Sequence, residues 1–318
     1  MKAALVKEKG VIPVIGQFET PAGVDGKVVV HVSAAALSRV SKGRSMGMHY
    51  SSDADFPIVA GMDGVGTLED GSRVYFAMSA APYGSLAEQT LVHEKLIVRL
   101  PEGLDDLTAA AIANPGMSSW AALAFRAGFT AGQTVLINGA TGSSGSLAVQ
   151  IAKSLGAKKI IVTGRNESKL QALEADEAIA FDLTADNGVK IFEQALLPIM
   201  AEGVDVVLDY LWGDSALAIM SAVARTQPVR AVRFVSIGTS SGQENIELPS
   251  SILRSSSIEL LGSGGDSVSK ADLLTSVKGV FEMAAEGRLT IAVKEFALKD
   301  IEEAWNAPLT PRPVVKVK

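Results

Sequence analysis

Residues 134–169, TVLINGATGSSGSLAVQIAKSLGAKKIIVTGRNESK, constrain the fold more than any other part of this chain. A short apolar run with β character, Val135-Leu136-Ile137, breaks into a glycine-rich turn, Gly139-Ala140-Thr141-Gly142-Ser143-Ser144-Gly145. An apolar-periodic helix follows, with Leu147, Val149, Ile151, Ala152 and Leu155 available to one buried side. Gly156 stands where a left-handed cap would end it. Ile160-Ile161-Val162 then reads as a second buried strand. A glycine pattern alone is a weak signal, but in this strand–turn–helix–strand context it predicts a dinucleotide site. Gly142 would let the backbone approach a pyrophosphate, and Gly145 would let the helix lie close to the strand. The N–H groups at the helix start would face the phosphates.

The end of the second strand indicates which dinucleotide. A site for NAD usually has a carboxylate there to bind the ribose hydroxyls. Here the positions read Thr163-Gly164-Arg165-Asn166, with Lys169 one turn on and no carboxylate before Glu167. A guanidinium at Arg165 suits a 2′-phosphate, which a carboxylate would repel. The expected cofactor is therefore NADPH, with Gly164, Arg165 and Lys169 at its adenosine end.

With 318 residues and 47% hydrophobic side chains the chain has room for two domains with substantial cores. Its net charge of -6 and the absence of a basic stripe argue against nucleic acid as a partner. There is no cysteine, so disulfides, thiolate zinc sites and thiol catalysis are excluded. The start, MKAALVKEKG, lacks the apolar core of a signal peptide, and a cytoplasmic location is expected. The longest uncharged stretch, 107–125, could span a bilayer by length, but Asn114-Pro115-Gly116 interrupts it. It reads as two buried helical segments separated by a turn, with no membrane span.

The first hundred or so residues read as β-rich, with strands expected at 3–6, 27–32 and 61–69 between Gly, Pro and Ser turns. Beyond 107 the pattern becomes α/β. Short buried runs at 178–181, 204–209, 234–237 and 258–261 alternate with helical stretches at 167–174, 187–201 and 214–224. That alternation predicts a doubly wound parallel sheet of the Rossmann kind. A helix at 269–286 and a β-prone tail, 314–317, follow. A short-chain reductase would need Tyr-x-x-x-Lys. The residues four places after Tyr50, Tyr75, Tyr83 and Tyr210 are Ala54, Ser79, Ala87 and Asp214, so that class is excluded.

Several ordered motifs carry a resemblance. They are 57–69, PIVAGMDGVGTLE; Gly71-Ser72-Arg73-Val74-Tyr75; Gly84-Ser85-Leu86-Ala87-Glu88; Leu100-Pro101-Glu102-Gly103 with Ala109-Ala110-Ala111; and the Ala140-x-Gly142-x-x-Gly145 turn. Together the chain resembles the medium-chain dehydrogenase/reductase superfamily, in its zinc-independent quinone oxidoreductase branch. The resemblance implies a GroES-like β-rich substrate domain at 1–118 and 263–318, and a Rossmann NADPH-binding domain at 119–262. It implies a cleft between them for nicotinamide and substrate. It also implies a homodimer, with 257–261 as the candidate edge. Ser118, Leu211, Gly238, Gly262 and Ser263 match nicotinamide-side positions. Tyr50 lies near the cleft-lining aromatic position and is the candidate proton donor.

Departures from the family matter equally. Zinc-dependent members carry a Cys and a G-H-E motif where this chain has Ser38 and Gly61-Met62-Asp63. The branch often has Asn and Asp where Ser38 and Ser41 stand, so a family contact there is weakened. A catalytic zinc needs three ligands and an open position. His31, His49 and His93 have no HxH or HxxxH spacing, and no bound metal is expected. Without a Lewis acid, the expected reaction is hydride transfer to a quinone or an α,β-unsaturated carbonyl, which stabilises its own charge. Two alternatives stand beside it. One is a 2-enoyl-thioester reductase, for which Arg39, Lys42 and Arg44 would form the basic rim. The other is a low-turnover NADPH-binding sensor.

Overall fold

The computed structural model describes residues 1–49, 52, 55–227 and 230–317. The chain divides into two units, Met1–Asn114 with Val277–Lys318, and Pro115–Ser276. Both boundaries fall inside helices, whereas the domain limits implied by the resemblance lie at 118/119 and 262/263.

The first unit begins with β1 (Lys2–Val6), β2 (Val14–Gln17), β3 (Lys27–Ala36), α1 (Arg39–Ser45) and β4 (Ile58–Val59). It continues through β5 (Gly64–Thr67), β6 (Arg73–Phe76), β7 (Gln89–His93) and β8 (Ile97–Arg99). The strand expected at 27–32 runs on to Ala36, because two partners hold its ends. β7 pairs with its first half, and a strand from the far end of the chain pairs with its last residues. Two antiparallel-rich sheets result, ordered β2-β1-β4 and, with the returning strands β15 (Val293–Ala297) and β16 (Arg312–Lys316), β15-β16-β3-β5-β6-β8. Ala4, Val6, Leu37, Leu86, Trp305 and Val315 form one core, and Val30, Val32, Val74, Phe76 and Val92 another.

α2 (Asp106–Ala121) leads into the second unit and ends in a π-helical turn, Ala122–Arg126. The expected break at Asn114-Pro115-Gly116 is absent, since the helix continues through Pro115. Proline inside a helix costs about 3 kcal/mol. Burial of Ile112, its alanine neighbours and Leu123 offsets that. Then come β9 (Thr134–Asn138), α3 (Ser143–Ser154), β10 (Lys159–Gly164), α4 (Glu167–Gln171) and β11 (Glu177–Ala180). The unit is completed by α5 (Gly188–Glu202), β12 (Val206–Asp209), α6 (Gly213–Thr226), β13 (Val232–Ser236), α7 (Ser250–Arg254) and β14 (Ile258–Gly262). All six strands are parallel, in the order β11-β10-β9-β12-β13-β14. This is the doubly wound Rossmann sheet expected from the alternation. The order reverses between β9 and β12, and ligands of such sheets bind at the carboxyl ends of the strands at that point. β9 is buried at every residue because helices cover both faces. Leu155 ends α3, and Gly156 follows at φ +87°, the expected left-handed cap.

α8 (Lys270–Ala285) leads back, and β15 (Val293–Ala297), α9 (Ile301–Asn306) and β16 (Arg312–Lys316) complete the first unit. β16 lies antiparallel to β3, with Val314 opposite Ala36. Among the described residues no helix is long and apolar enough to cross a membrane.

Candidate cofactor-binding site

β9 ends at Asn138, and the chain turns through Gly139 at φ +87°, a conformation L side chains rarely adopt. The N–H groups of Gly139 and Ala140 donate to the Thr163 carbonyl, at 2.9 and 3.1 Å, and tie the turn to the end of β10. α3 then starts from Gly142, which offers no capping side chain to the first-turn N–H groups.

The three glycines do different work. A Cβ on Gly139 would meet the Leu211 side chain at 2.9 Å. On Gly145 it would fall 2.5 Å from the Gly139 carbonyl oxygen and 2.6 Å from Ala140 Cα, so close packing of α3 demands glycine there. On Gly142 its nearest neighbour would be 3.8 Å away. With φ -82° and ψ 166°, Gly142 also has a backbone any residue can adopt. Among the described residues nothing requires glycine at 142. The space a side chain would fill is an open cradle against the backbone, the shape a pyrophosphate needs.

The tip of β10 lies against this turn, since a Cβ on Gly164 would sit 3.5 Å from Thr141 Cγ2. Arg165 follows, exposed. Its neighbour Asn166 is occupied as a helix cap, its Oδ1 accepting from Lys169 N–H at 2.9 Å and Ser168 Oγ at 2.8 Å. The end of β10 thus carries one cation, Arg165, with no carboxylate before Glu167. Asp182 is held below the usual carboxylate range, first by hydrogen bonds from Thr184 and last by the charge of Arg165. Lys169 is exposed one turn into α4, and only its backbone is engaged in the cap.

Beneath the turn runs a buried polar ladder that local pattern did not single out. Thr163 Oγ1 donates to Asn138 Oδ1 at 2.7 Å, and Asn138 Nδ2 donates to Asp209 Oδ1 at 2.8 Å and Ser215 Oγ at 3.0 Å. Burial pushes Asp209 up to about 6, opposed by hydrogen bonds from Leu211 N–H, Asn138 and Trp212 N–H. Ser119, fully buried on α2, lies 2.7 Å from the Tyr210 hydroxyl and 3.0 Å from the Ser144 carbonyl oxygen. Burial raises the Tyr210 phenol. The only sequence signal for this ladder was an Asn or Asp directly after an apolar strand, and a polar group so placed needs partners.

The structure brings most of the sequence-derived site together. Ala140, Thr141, Gly142, Ser143, Ser144 and Gly145 form the turn, with Gly164 and Leu211 packed on it. Ser118 neighbours the buried Ser119, its own Oγ donating to the Pro115 carbonyl at 3.0 Å. Gly238 N–H lies 3.3 Å from the Asp209 carbonyl, alongside the loop that carries Leu211. Gly262 and Ser263 are one strand further out. Ser263 N–H donates to the Ser236 carbonyl at 2.8 Å, and the Gly262 carbonyl accepts from Arg126 Nε at 2.6 Å. Tyr50 lies outside the described residues.

In the first unit, Ser38 and Ser41 form a reciprocal capping box on α1, so both hydroxyls are consumed locally. Among the described residues no three His, Cys, Asp or Glu side chains are grouped to hold a metal. Lys42 donates to the Trp305 carbonyl and lies over its ring, 5.8 Å from the centroid, which takes it out of a basic rim. Asp63, fully buried, accepts from the Tyr75 hydroxyl at 2.9 Å. Burial pushes Asp63 up to about 6, against the pull of Tyr75 and the Arg312 charge. The folded protein therefore holds this proton between the ordinary carboxylate range and about 6, where the unfolded chain has released it. The stability it contributes is full below about pH 4 and lost as pH rises through the folded value. Asp63→Asn should remove that slope. In urea unfolding, the stability of the variant relative to the parent should rise from pH 4 to pH 7, and a constant difference would exclude the effect.

The two units, one GroES-like and β-rich and one Rossmann, define the architecture of the medium-chain dehydrogenases/reductases. A family described as "Zinc-binding dehydrogenase" matches residues 145–278, a segment without His or Cys. The chain is 27% identical over 315 residues to a probable NADPH-dependent quinone reductase, tdiC, of Emericella nidulans, covering 86% of this chain and 87% of that one. It is 29% identical over 275 residues to the chloroplastic NADPH-dependent alkenal/one oxidoreductase of Arabidopsis thaliana, covering 76% and 67%. The quinone oxidoreductase of Thermus thermophilus, solved also in complex with NADPH, superposes over 100% of both chains with a TM-score of 0.79 at 26% identity. The chain belongs to the medium-chain dehydrogenase/reductase superfamily, in its quinone oxidoreductase branch.

Proposed function

We propose that this protein is an NADPH-dependent reductase that delivers hydride to a quinone or an α,β-unsaturated carbonyl. The observation that carries the cofactor is the pairing of an open backbone cradle at Gly142 with exposed Arg165 at a strand end that has no carboxylate before Glu167. The relatives whose names specify NADPH with quinones, alkenals or enones support the substrate class. Bound NADPH would supply the hydride. The chain would supply orientation: Ala140, Thr141, Gly142, Ser143, Ser144 and Gly145 at the pyrophosphate, and Gly164, Arg165 and Lys169 at the 2′-phosphate. Ser118, Leu211, Gly238, Gly262 and Ser263 would flank the nicotinamide, and Tyr50 would donate the proton. In this reading most of the rate comes from proximity and fixed dipoles.

Zinc independence is part of the proposal, supported by Ser38 and Met62 where zinc-dependent relatives carry ligands. So are a cytoplasmic location and a homodimer. For the dimer, support comes from β14, the outermost strand of its sheet, where Leu260 is 40% exposed. The test is NADPH oxidation followed by absorbance across quinones, enals, enones, enoyl thioesters and simple aldehydes, with and without a chelator. Turnover of a conjugated acceptor, unaffected by chelation, is expected. Turnover of acetaldehyde alone, or loss of activity with one zinc per chain, would overturn the assignment.

A further inference from the structure

Asp209 closes β12 with a fully buried carboxylate whose hydrogen-bond partners are neutral donors. Oδ1 accepts from Asn138 Nδ2 at 2.8 Å and Leu211 N–H at 3.1 Å, and Oδ2 accepts from Trp212 N–H at 3.0 Å. Trp212 has φ 61° and ψ -163°. That region is essentially reserved for glycine, and another residue persists there only where its surroundings over-determine it. Here the surroundings are one carboxylate gripping two consecutive N–H groups. On the other side, Ser215 Oγ donates to the Trp212 carbonyl at 3.1 Å.

The consequence appears one residue back. Leu211 is held against the glycine-rich turn, filling the space above Gly139. By a second route the same carboxylate fixes Asn138, which accepts from the Thr163 hydroxyl. The Thr163 carbonyl in turn receives the N–H groups of Gly139 and Ala140. Both routes end on the turn, from strands far apart in sequence.

We propose that Asp209 is a positioning residue for the cofactor. By keeping Trp212 in a glycine-like backbone conformation, its ionised carboxylate holds Leu211 and the 139–145 turn in the geometry that receives the dinucleotide. This rests on the NADPH assignment made above. Ionisation matters because every partner donates. The titratable side chain whose charge couples to Asp209 is Tyr210, and its phenol is raised further out of range by burial.

The test compares NADP⁺ dissociation constants of the parent, Asp209→Asn and Asp209→Asn/Trp212→Gly at pH 7.5, with circular dichroism and melting temperature as fold controls. The asparagine presents an amide N–H₂ where Oδ2 received Trp212 N–H. Asp209→Asn should weaken NADP⁺ about tenfold, as expected for one lost charge-assisted hydrogen bond. In turnover the KM for NADPH should rise more than kcat falls. Glycine at 212 adopts the required angles freely, so the double variant should recover most of the affinity. A folded Asp209→Asn with parental affinity, or a double variant as weak as the single, overturns the proposal. If Asp209→Asn does not fold, the NADP⁺ dissociation constants of the parent and Trp212→Gly between pH 5 and pH 8 decide. The parent should weaken more than Trp212→Gly as pH falls, because glycine holds the angles without the carboxylate, and the same pH dependence in both overturns the proposal. If the parent itself fails to bind NADP⁺, the cofactor assignment falls first and this inference with it.

Discussion

Replacing Gly142 with valine is expected to abolish NADPH binding and leave a folded protein. The backbone at 142 lies at φ -82° and ψ 166°, which valine adopts without strain. An added Cβ would have no neighbour nearer than 3.8 Å, so the melting temperature should barely change. The branched side chain would instead fill the cradle and hold a pyrophosphate off the first-turn N–H groups of α3. Losing two charge-assisted hydrogen bonds costs about 3–6 kcal/mol, or at least about a hundredfold in affinity. The control is Gly145→Val, where the Cβ would sit 2.5 Å from the Gly139 carbonyl oxygen and the protein should fail to fold. Fluorescence titration with NADPH alongside circular dichroism separates the two. Undiminished affinity in a folded Gly142→Val protein would move the phosphate turn elsewhere.

Arg165→Ala is expected to weaken NADPH about tenfold or more while leaving NADH nearly unaffected. A charge-assisted contact to the 2′-phosphate contributes about 1.5–3 kcal/mol. Arg165 is exposed, so screening should pull the effect toward the lower figure as salt is raised. Asn166 cannot substitute, because its side chain is committed to capping α4. Dissociation constants for both nucleotides at two ionic strengths provide the measurement. Equal weakening of NADPH and NADH would show that Arg165 does not read the 2′-phosphate.

The local elements of this protein were legible in its sequence. The apolar runs and their spacing located the parallel strands within a few residues, and the turn after β9 with its glycines stood out at once. These signals survive in isolation because strand period, glycine turns and caps act over a handful of neighbouring residues. Tertiary structure decided what depends on distant partners. Gly142 and Gly145 look alike as letters, yet only packing shows that one is forced by the backbone of the turn and the other faces open space. Pro115 reads as a breaker, but burial around it keeps the helix continuous. Arg312 lies among the last residues of the chain, yet β16 lies beside β3, and the charge of Arg312 acts on Asp63. Asn138 and Asp209 are 71 residues apart, and their bond exists only because β9 and β12 are neighbours in the sheet. A buried polar group must find partners wherever the chain brings them, and no local window contains that information.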